Sequence, residues 1–295
     1  YSIVFEDGKS HKVSTKEIAK ILSDNKWNNQ RVVYIAPVKN DDNTEINHIK
    51  FNGGFLTTSI NMNVKINAKL KTLRLKQSYP QDWALISDGD YSEWKIFFEG
   101  IQYSQSDMVQ SKQRFNNYGL TGCLTIYSSL VDNISLSVDG GACEDSINIV
   151  NSTGKGMELN IINAYADAVD FDFSNLSIDK LEVMNAGNDC YDVSSGNYYI
   201  QFAKLTNCMD KAISVGEKSK FLSKQIDVYD SNIAISVKDQ SKAEVTQINA
   251  KNVSLCAEVK RKKQEFGGAK LIVNKILCSA DFEIDAESLY LANQL

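Results

Sequence analysis

At 295 residues the chain is long enough for one extended core or two ordinary ones. Its 32 basic and 37 acidic residues leave a formal charge of −5, which argues against a dominant phosphate-binding role and so against nucleic acid as a partner. No apolar run approaches the roughly 18 residues of a membrane-spanning helix, and the start YSIVFEDGKS has neither a basic nor an apolar leader pattern.

In chain order, the first element is a helix predicted over 14–27. Ser14 and Glu17 form a capping box, and Ile18, Ile21 and Leu22 make one apolar stripe. With a strand over 31–38 it is read as a short N-terminal helical cap, residues 1–40, closing an edge that otherwise invites association. The stretch 51–100 carries alternating runs such as Met62, Val64 and Ile66, the mark of first, less regular coils.

From Ala166 the chain divides into units of 21 to 24 residues that resemble one another, among them ADAVDFDFSNLSIDKLEVMNAG and SNIAISVKDQSKAEVTQINAKN. GCLTIYSSLVDNISLSVDGGA and CEDSINIVNSTGKGMELNIINAY fit the same pattern earlier. Each unit holds two short alternating runs, for example Ala212, Ile213 and Val215, then Ile226 and Val228. Such runs cannot bury an apolar face alone, but stacked coils share one continuous core. The fold class expected is therefore all-β, a right-handed parallel β-helix with coils of about 22 residues over 41–285, with 286–295 as a short helix or a truncated end. Ile213, Ile235, Val215 and Val237 are expected to face inward as ladders.

The six cysteines show no CxxC spacing and are read as buried free thiols rather than disulfides or a zinc site. His11 and His48 lie far from the region with chemical character, which excludes a histidine triad there. The run beginning Lys260 and Arg261 is read as a solvated loop run or a grip for an acidic polymer, Tyr198 and Tyr199 as a sugar platform or as a pair with one ring facing the core, and Asn175 and Asn252 as N-x-Ser sites that matter only on a secretory route.

Equivalent positions in stacked coils lie about 4.8 Å apart, so a register in sequence becomes a column in space. The second position of each unit reads Glu144, Asp167, Asp189, Asp210, Asn232 and Ser254, with Asp170, Asp192 and Lys211 nearby. Further along come Glu217, Lys238 with Asp239, and Lys260 with Arg261. Stacked carboxylates repel, which raises the pKa of some or calls for a cation; Ca²⁺ suits such hard oxygens. Asp167, Asp189, Asp192, Asp210, Lys211 and Lys238 are the catalytic candidates. Asp170, Glu217, Asp239, Lys260 and Arg261 are the substrate-binding ones.

The coil pattern over roughly 101–276 resembles the pectin lyases and polygalacturonases. The succession Ala166-Asp167, Asn188-Asp189-Cys190, Asp210-Lys211-Ala212 and Ser236-Val237-Lys238 follows the polygalacturonase motif order, with Asn188, Lys211 and Ser236 in place of a carboxylate, a histidine and an arginine. The phrases GNDCYDVSSG, DKAISVGEKS and IAISVKDQS are similar to β-helix domains of bacterial surface proteins that accompany spore-coat-type kinase modules. The resemblance implies a polysaccharide-directed protein outside the cytoplasm or in the envelope, with a place in a larger multidomain chain as one option. It implies cleavage of an acidic bacterial polysaccharide by hydrolysis or β-elimination, the latter needing Lys211 or Lys238 as a base of lowered pKa. The alternative is a non-catalytic glycan-binding or structural domain.

Overall fold

The computed structural model describes residues 2–5, 10–12, 26–27, 30–36, 46–102 and 114–292. The chain forms two units, Tyr1–Glu45 with Lys112–Leu120, and Ile46–Ser111 with Thr121–Leu295. In the first, strands β1 (Ser2–Phe5), β2 (Ser10–Lys12), β3 (Lys26–Trp27) and β4 (Gln30–Ala36) make an antiparallel sheet in the order β2-β1-β4-β3. The expected strand over 31–38 is β4. The expected helix over 14–27 falls outside the described residues except at Lys26 and Trp27, which are strand, so nothing supports a helical cap; no described residue is helical.

The second unit opens with antiparallel pairing. Strands β5 (Ile46–Phe51) and β6 (Gly54–Ser59) form a hairpin, and β7 (Asn63–Asn67) pairs antiparallel with β8 (Thr72–Lys76). β6 also pairs antiparallel with β9 (Ala84–Ser87). Beneath this layer Phe51 stacks on Tyr91, centroids 5.1 Å apart, and meets Trp94 edge-on at 4.5 Å, so large aromatic rings fill the first coil.

From β8 onward the ladder is parallel. Its strands are β10 (Lys95–Glu99), β11 (Gly122–Tyr127), β12 (Ser135–Asp139), β13 (Asp145–Val150), β14 (Thr153–Ala164) and β15 (Asp167–Asp172). They continue as β16 (Asn175–Ala186), β17 (Asp192–Ser194), β18 (Asn197–Cys208), β19 (Lys211–Gly216), β20 (Lys220–Lys238) and β21 (Lys242–Lys260). β22 (Lys270–Leu277), β23 (Asp281–Ile284) and β24 (Leu289–Ala292) end the stack, so the tail expected as a short helix contains a strand instead. Partners lie 22 residues apart from Asn148 to Asp170, Asp192, Ser214, Ser236 and Glu258. The arrangement is a parallel β-solenoid.

Its core is a set of ladders. Phe171, Val193, Val215 and Val237 stack in register, as do Ile213 and Ile235, all inaccessible to solvent. The corners explain the Asn- and Ser-rich composition. Asn163, Asn185 and Asn207 hold φ of 57°, 65° and 57°, a left-handed bend that asparagine tolerates. Each amide donates to the oxygen of the previous coil: Asn207 to Asn185 and Asn185 to Asn163, both at 3.0 Å. At the opposite corner Ser152 and Ser174 offer their hydroxyl oxygens to the backbone N–H of Ser129 and Ser152, at 3.1 and 3.0 Å. Buried backbone N–H groups thus find hydroxyl oxygens as acceptors coil by coil.

The cysteine expectation is overturned. Cys123–Cys143, Cys190–Cys208 and Cys256–Cys278 are disulfides, and no cysteine is free. Each joins residues 18 to 22 apart, about one coil, at a corner where other coils place alanines such as Ala168, Ala212 and Ala234. Spacing of one coil brings two thiols to adjacent levels, which sequence inspection for short motifs does not register.

Candidate functional site

Strand β15 reads DAVDFD. Alternation sends Val169 and Phe171 into the core and leaves Asp170 and Asp172 on the opposite face, both partly exposed. Stacking extends this face into columns. One runs Thr125, Asn148, Asp170, Asp192, Ser214, Ser236 and Glu258. A second runs Val150, Asp172, Ser194 and Gly216. A third, at the strand starts, runs Asp145, Asp167, Asp189 and Lys211.

The third column corrects the register read from the sequence. Asp145, not Glu144, is the partner of Asp167, and Lys211, not Asp210, follows Asp189. A 23-residue unit before Ala166 displaced the count by one at Glu144 and a 21-residue unit displaced it at Asp210, whereas the fold keeps 22. Asp210 lies beside the column and meets it through an ion pair with Lys211. Asp167 Oδ1 accepts the Asp189 backbone N–H at 2.8 Å and the Asn188 amide at 2.7 Å. Asp189 Oδ1 accepts the Lys211 backbone N–H at 2.9 Å and its ammonium at 3.4 Å. These two aspartates therefore brace the coil below them.

Six carboxylates, Asp145, Asp167, Asp170, Asp172, Asp189 and Asp192, fall in three consecutive coils. Burial, followed by the charge of Asp189, pushes Asp167 up to about 7. Burial raises Asp145 to about 8, with Asp167 and Glu144 adding repulsion. Asp170 is raised well above the usual range by burial and then by Asp145 and Asp172, and burial with Asp192 raises Asp189 to about 6. Asp172 is also raised, chiefly by burial. The Asn148 amide bridges Asp170 and Asp172, 3.4 Å from an oxygen of each. Asp145, Asp167 and Asp189 thus exchange protons in a range where general acids and bases operate.

Beyond Asp192 the face turns cationic, but Lys211, Lys238, Lys260 and Lys263 are each engaged. Burial works against the Lys211 charge, yet Asp189 and Asp210 outweigh it and hold the ammonium above its ordinary range. A base of lowered pKa, as β-elimination requires of Lys211, is thus contradicted. Lys238 is buried with its Nζ donating to Ser214 Oγ at 2.8 Å. Lys260 pairs with Glu258, whose other oxygen accepts from Ser236 at 2.6 Å, and Lys263 pairs with Glu217, which also accepts from Ser194. Burial opposes ionisation of Glu217 and Glu258, but the bonds from Lys263 and Lys260 prevail and lower both.

Two of the substrate-binding candidates have other occupations. Asp239, inaccessible to solvent, caps the following loop by accepting the backbone N–H groups of Lys262 and Lys263 at 2.7 and 2.8 Å. Arg261 pairs with Glu287 at 2.9 Å. Tyr198 is in the core, its hydroxyl donating to the Ser194 carbonyl at 2.8 Å, while Tyr199 lines a separate groove of about 390 Å³ with Leu222, Lys220 and Glu244. Asn175 and Asn252 belong to side-chain ladders, with Asn197 and Asp230 respectively. Gly268 marks a close approach, since a Cβ there lies 1.9 Å from the Glu287 backbone oxygen.

Among the described residues no three histidine, cysteine or carboxylate groups are placed to hold one metal ion. The carboxylates are strung along the sheet rather than converging. Sequence reasoning missed Asp145 and Asp172, and Thr125 and Asn148 with them. The D-x-x-D-x-D spacing of β15 carried the signal, because residues three and five places into a strand share the outward face only when the core positions between them are known.

No protein-family description, no curated protein and no solved structure matches the chain.

Proposed function

We propose that the face bearing Asp170 and Asp192 is directed at a polysaccharide and cleaves it by acid–base hydrolysis. One observation carries this reading: Asp170 and Asp192 face each other in register on adjacent strands, both partly exposed, and the proton affinity of Asp170 is raised. Asp170, whose hold on its proton burial raises well above the ordinary carboxylate range, serves as the acid at the leaving oxygen, and Asp192 is the side chain beside it. Strands lie about 4.8 Å apart, which suits the roughly 5 Å separation of a retaining pair better than the 6.5–9.5 Å of an inverting one. Hydrolysis is favoured over elimination with Lys211 as the base, because Lys211 is held in its charged form.

The pectin-lyase-like relationship and a right-handed coil belong to the same proposal; parallel crossovers have that hand in nearly all sheets. Three disulfides support a location outside the reducing cytoplasm, in keeping with an envelope or cell-surface setting. The second reading, a non-catalytic glycan-binding or structural domain, is favoured by the bracing bonds of Asp167 and Asp189.

A panel of acidic, neutral and amino-sugar polysaccharides, followed by reducing ends and by 235 nm absorbance, separates these readings. Hydrolysis produces reducing ends without absorbance, and Asp170→Asn abolishes them. Absorbance points to elimination, and binding without either product leaves the non-catalytic reading.

A further inference from the structure

Away from the carboxylates, another ladder of the solenoid carries a groove of about 460 Å³ whose walls come from β7, β8, β10, β12 and β14. Asp170 and Asp192 stand on β15 and β17, so the two surfaces share no strand. Along the groove run Lys65, Arg74, Phe97, Ser137 and Asn160, each the register partner of the next. Four spacings of about 4.8 Å make this a track roughly 19 Å long. Lys65 and Arg74 are both exposed and face each other across an antiparallel pair, where like charges repel. Neither has an ion-pair partner among the described residues. Lys76, the third cation of the groove, is paired with Glu99, and Asp139 Oδ1 accepts from Gln102 and Asn163 at 2.6 and 2.9 Å. The acids of the groove are thus occupied while its two facing cations are not.

Opposed cations cost stability that an oxyanion between them restores. The Arg74 guanidinium is held 4.2 Å from the centre of the half-buried Phe97 ring, and its N–H groups are not spent on any described residue. A guanidinium fixed in this way meets the two oxygens of a carboxylate or sulfate at little ordering cost. The rest of the track selects the rest of the ligand. Ser137 and Asn160 make no side-chain hydrogen bond among the described residues and offer a hydroxyl and an amide, groups that pair with sugar hydroxyls. Their spacing of about 4.8 Å approximates one sugar ring in an extended chain, whereas side chains on one face of an extended peptide recur only every 6.7 Å or about that.

We propose that this groove is a second binding site, for an anionic polysaccharide: Lys65 and Arg74 clamp an oxyanion carried on one sugar, and Ser137 and Asn160 bond hydroxyls of the sugars that follow. The class of polymer rests on the glycan-directed reading. The groove narrows it to a charged chain and anchors that chain on a ladder separate from Asp170 and Asp192.

The test is a binding titration of the full chain at low ionic strength with oligomers of matched length: oligogalacturonate, a sulfated galactan oligomer, a neutral galactan oligomer and oligoglutamate. The expected result is that one or both charged sugars bind roughly tenfold tighter than the neutral one, the better of the two identifying the anion as carboxylate or sulfate. The Lys65→Gln/Arg74→Gln variant, which alters only exposed side chains, loses that preference while its melting temperature shows it folded. Equal binding of charged and neutral sugars, or a preference that survives the double substitution, overturns the groove as the site and leaves the hydrolytic reading to be decided by the release of reducing ends. Oligoglutamate binding as tightly as the charged sugars overturns the sugar recognition assigned to Ser137 and Asn160, and no binding of any probe overturns the proposal as a whole.

Discussion

At the scale of single residues, Asp189 combines two roles that the sequence alone could not separate. Its position between Asp167 and Lys211 suggests relief of repulsion on removal, yet its Oδ1 accepts the Lys211 backbone N–H at 2.9 Å. Asp189→Ala leaves that buried donor unpaired and is expected to cost about 1–3 kcal/mol, read from denaturant unfolding. Asp189→Asn keeps an acceptor and sheds the charge, so its stability should stay near the parent value. Equal losses in both variants contradict the bracing role.

The raised carboxyls also set a pH dependence. Asp145, Asp167 and Asp189 bind protons more tightly in the folded chain, at about 8, 7 and 6, than in the unfolded chain, where they titrate near 3.8. Between those limits the native state holds more protons, so stability falls as pH rises. The melting temperature is therefore expected to be higher near pH 5 than near pH 8.5. Asp145→Asn should flatten the curve by gaining on the parent at the alkaline end. A melting temperature that climbs across this range in the parent contradicts burial of an uncompensated carboxyl.

At the scale of elements, the coil corners hold the fold in register. Asn185 has φ of 65° and links Asn163 to Asn207 through two amide bonds of 3.0 Å. Asn185→Ala loses both bonds and places an alanine in a left-handed bend, whereas Asn185→Gly loses only the bonds. Alanine should therefore be the worse replacement by about 1 kcal/mol, measured by thermal or chemical unfolding. The disulfides act at the same corners. Closing a loop of about 20 residues stabilises by about 3 kcal/mol in the chain-entropy view, so replacing Cys190 and Cys208 together by serine should lower stability by that order. A thiol assay on the denatured, unreduced protein should find no reactive cysteine.

The same elements show what was legible beforehand. Inward ladders such as Val193, Val215 and Val237 repeat residue type and spacing, so the solenoid followed from periodicity. The carboxylate column came out one place off, because a single-residue slip in a strand exchanges its two faces. Asp145 was passed over for that reason. The cysteines alternate with alanine at one corner, and a small apolar residue is what a buried thiol also resembles. The antiparallel layer of β5, β6 and β7 over the first coil had no signature beyond alternation, which antiparallel and parallel strands share.

At the scale of the whole molecule, the solenoid converts a repeated strand into a surface whose chemistry changes coil by coil. Six carboxylates crowd three coils, and below them Lys211, Lys238 and Lys260 are already paired with acceptors of their own. The proposed function rests on Asp170 and Asp192, members of the cluster that combine outward position with partial exposure. The central claim is that this face stacks aspartates closely enough to hold protons near neutral pH. Site-resolved carbon NMR titration of the aspartate carboxyls from pH 3 to 10 tests it most directly. The account predicts midpoints near 8 for Asp145 and near 7 for Asp167, with Asp170 also far above the ordinary aspartate range. Ordinary midpoints near 4 at all three positions would contradict it, since carboxyls that titrate as in water are neither buried nor crowded.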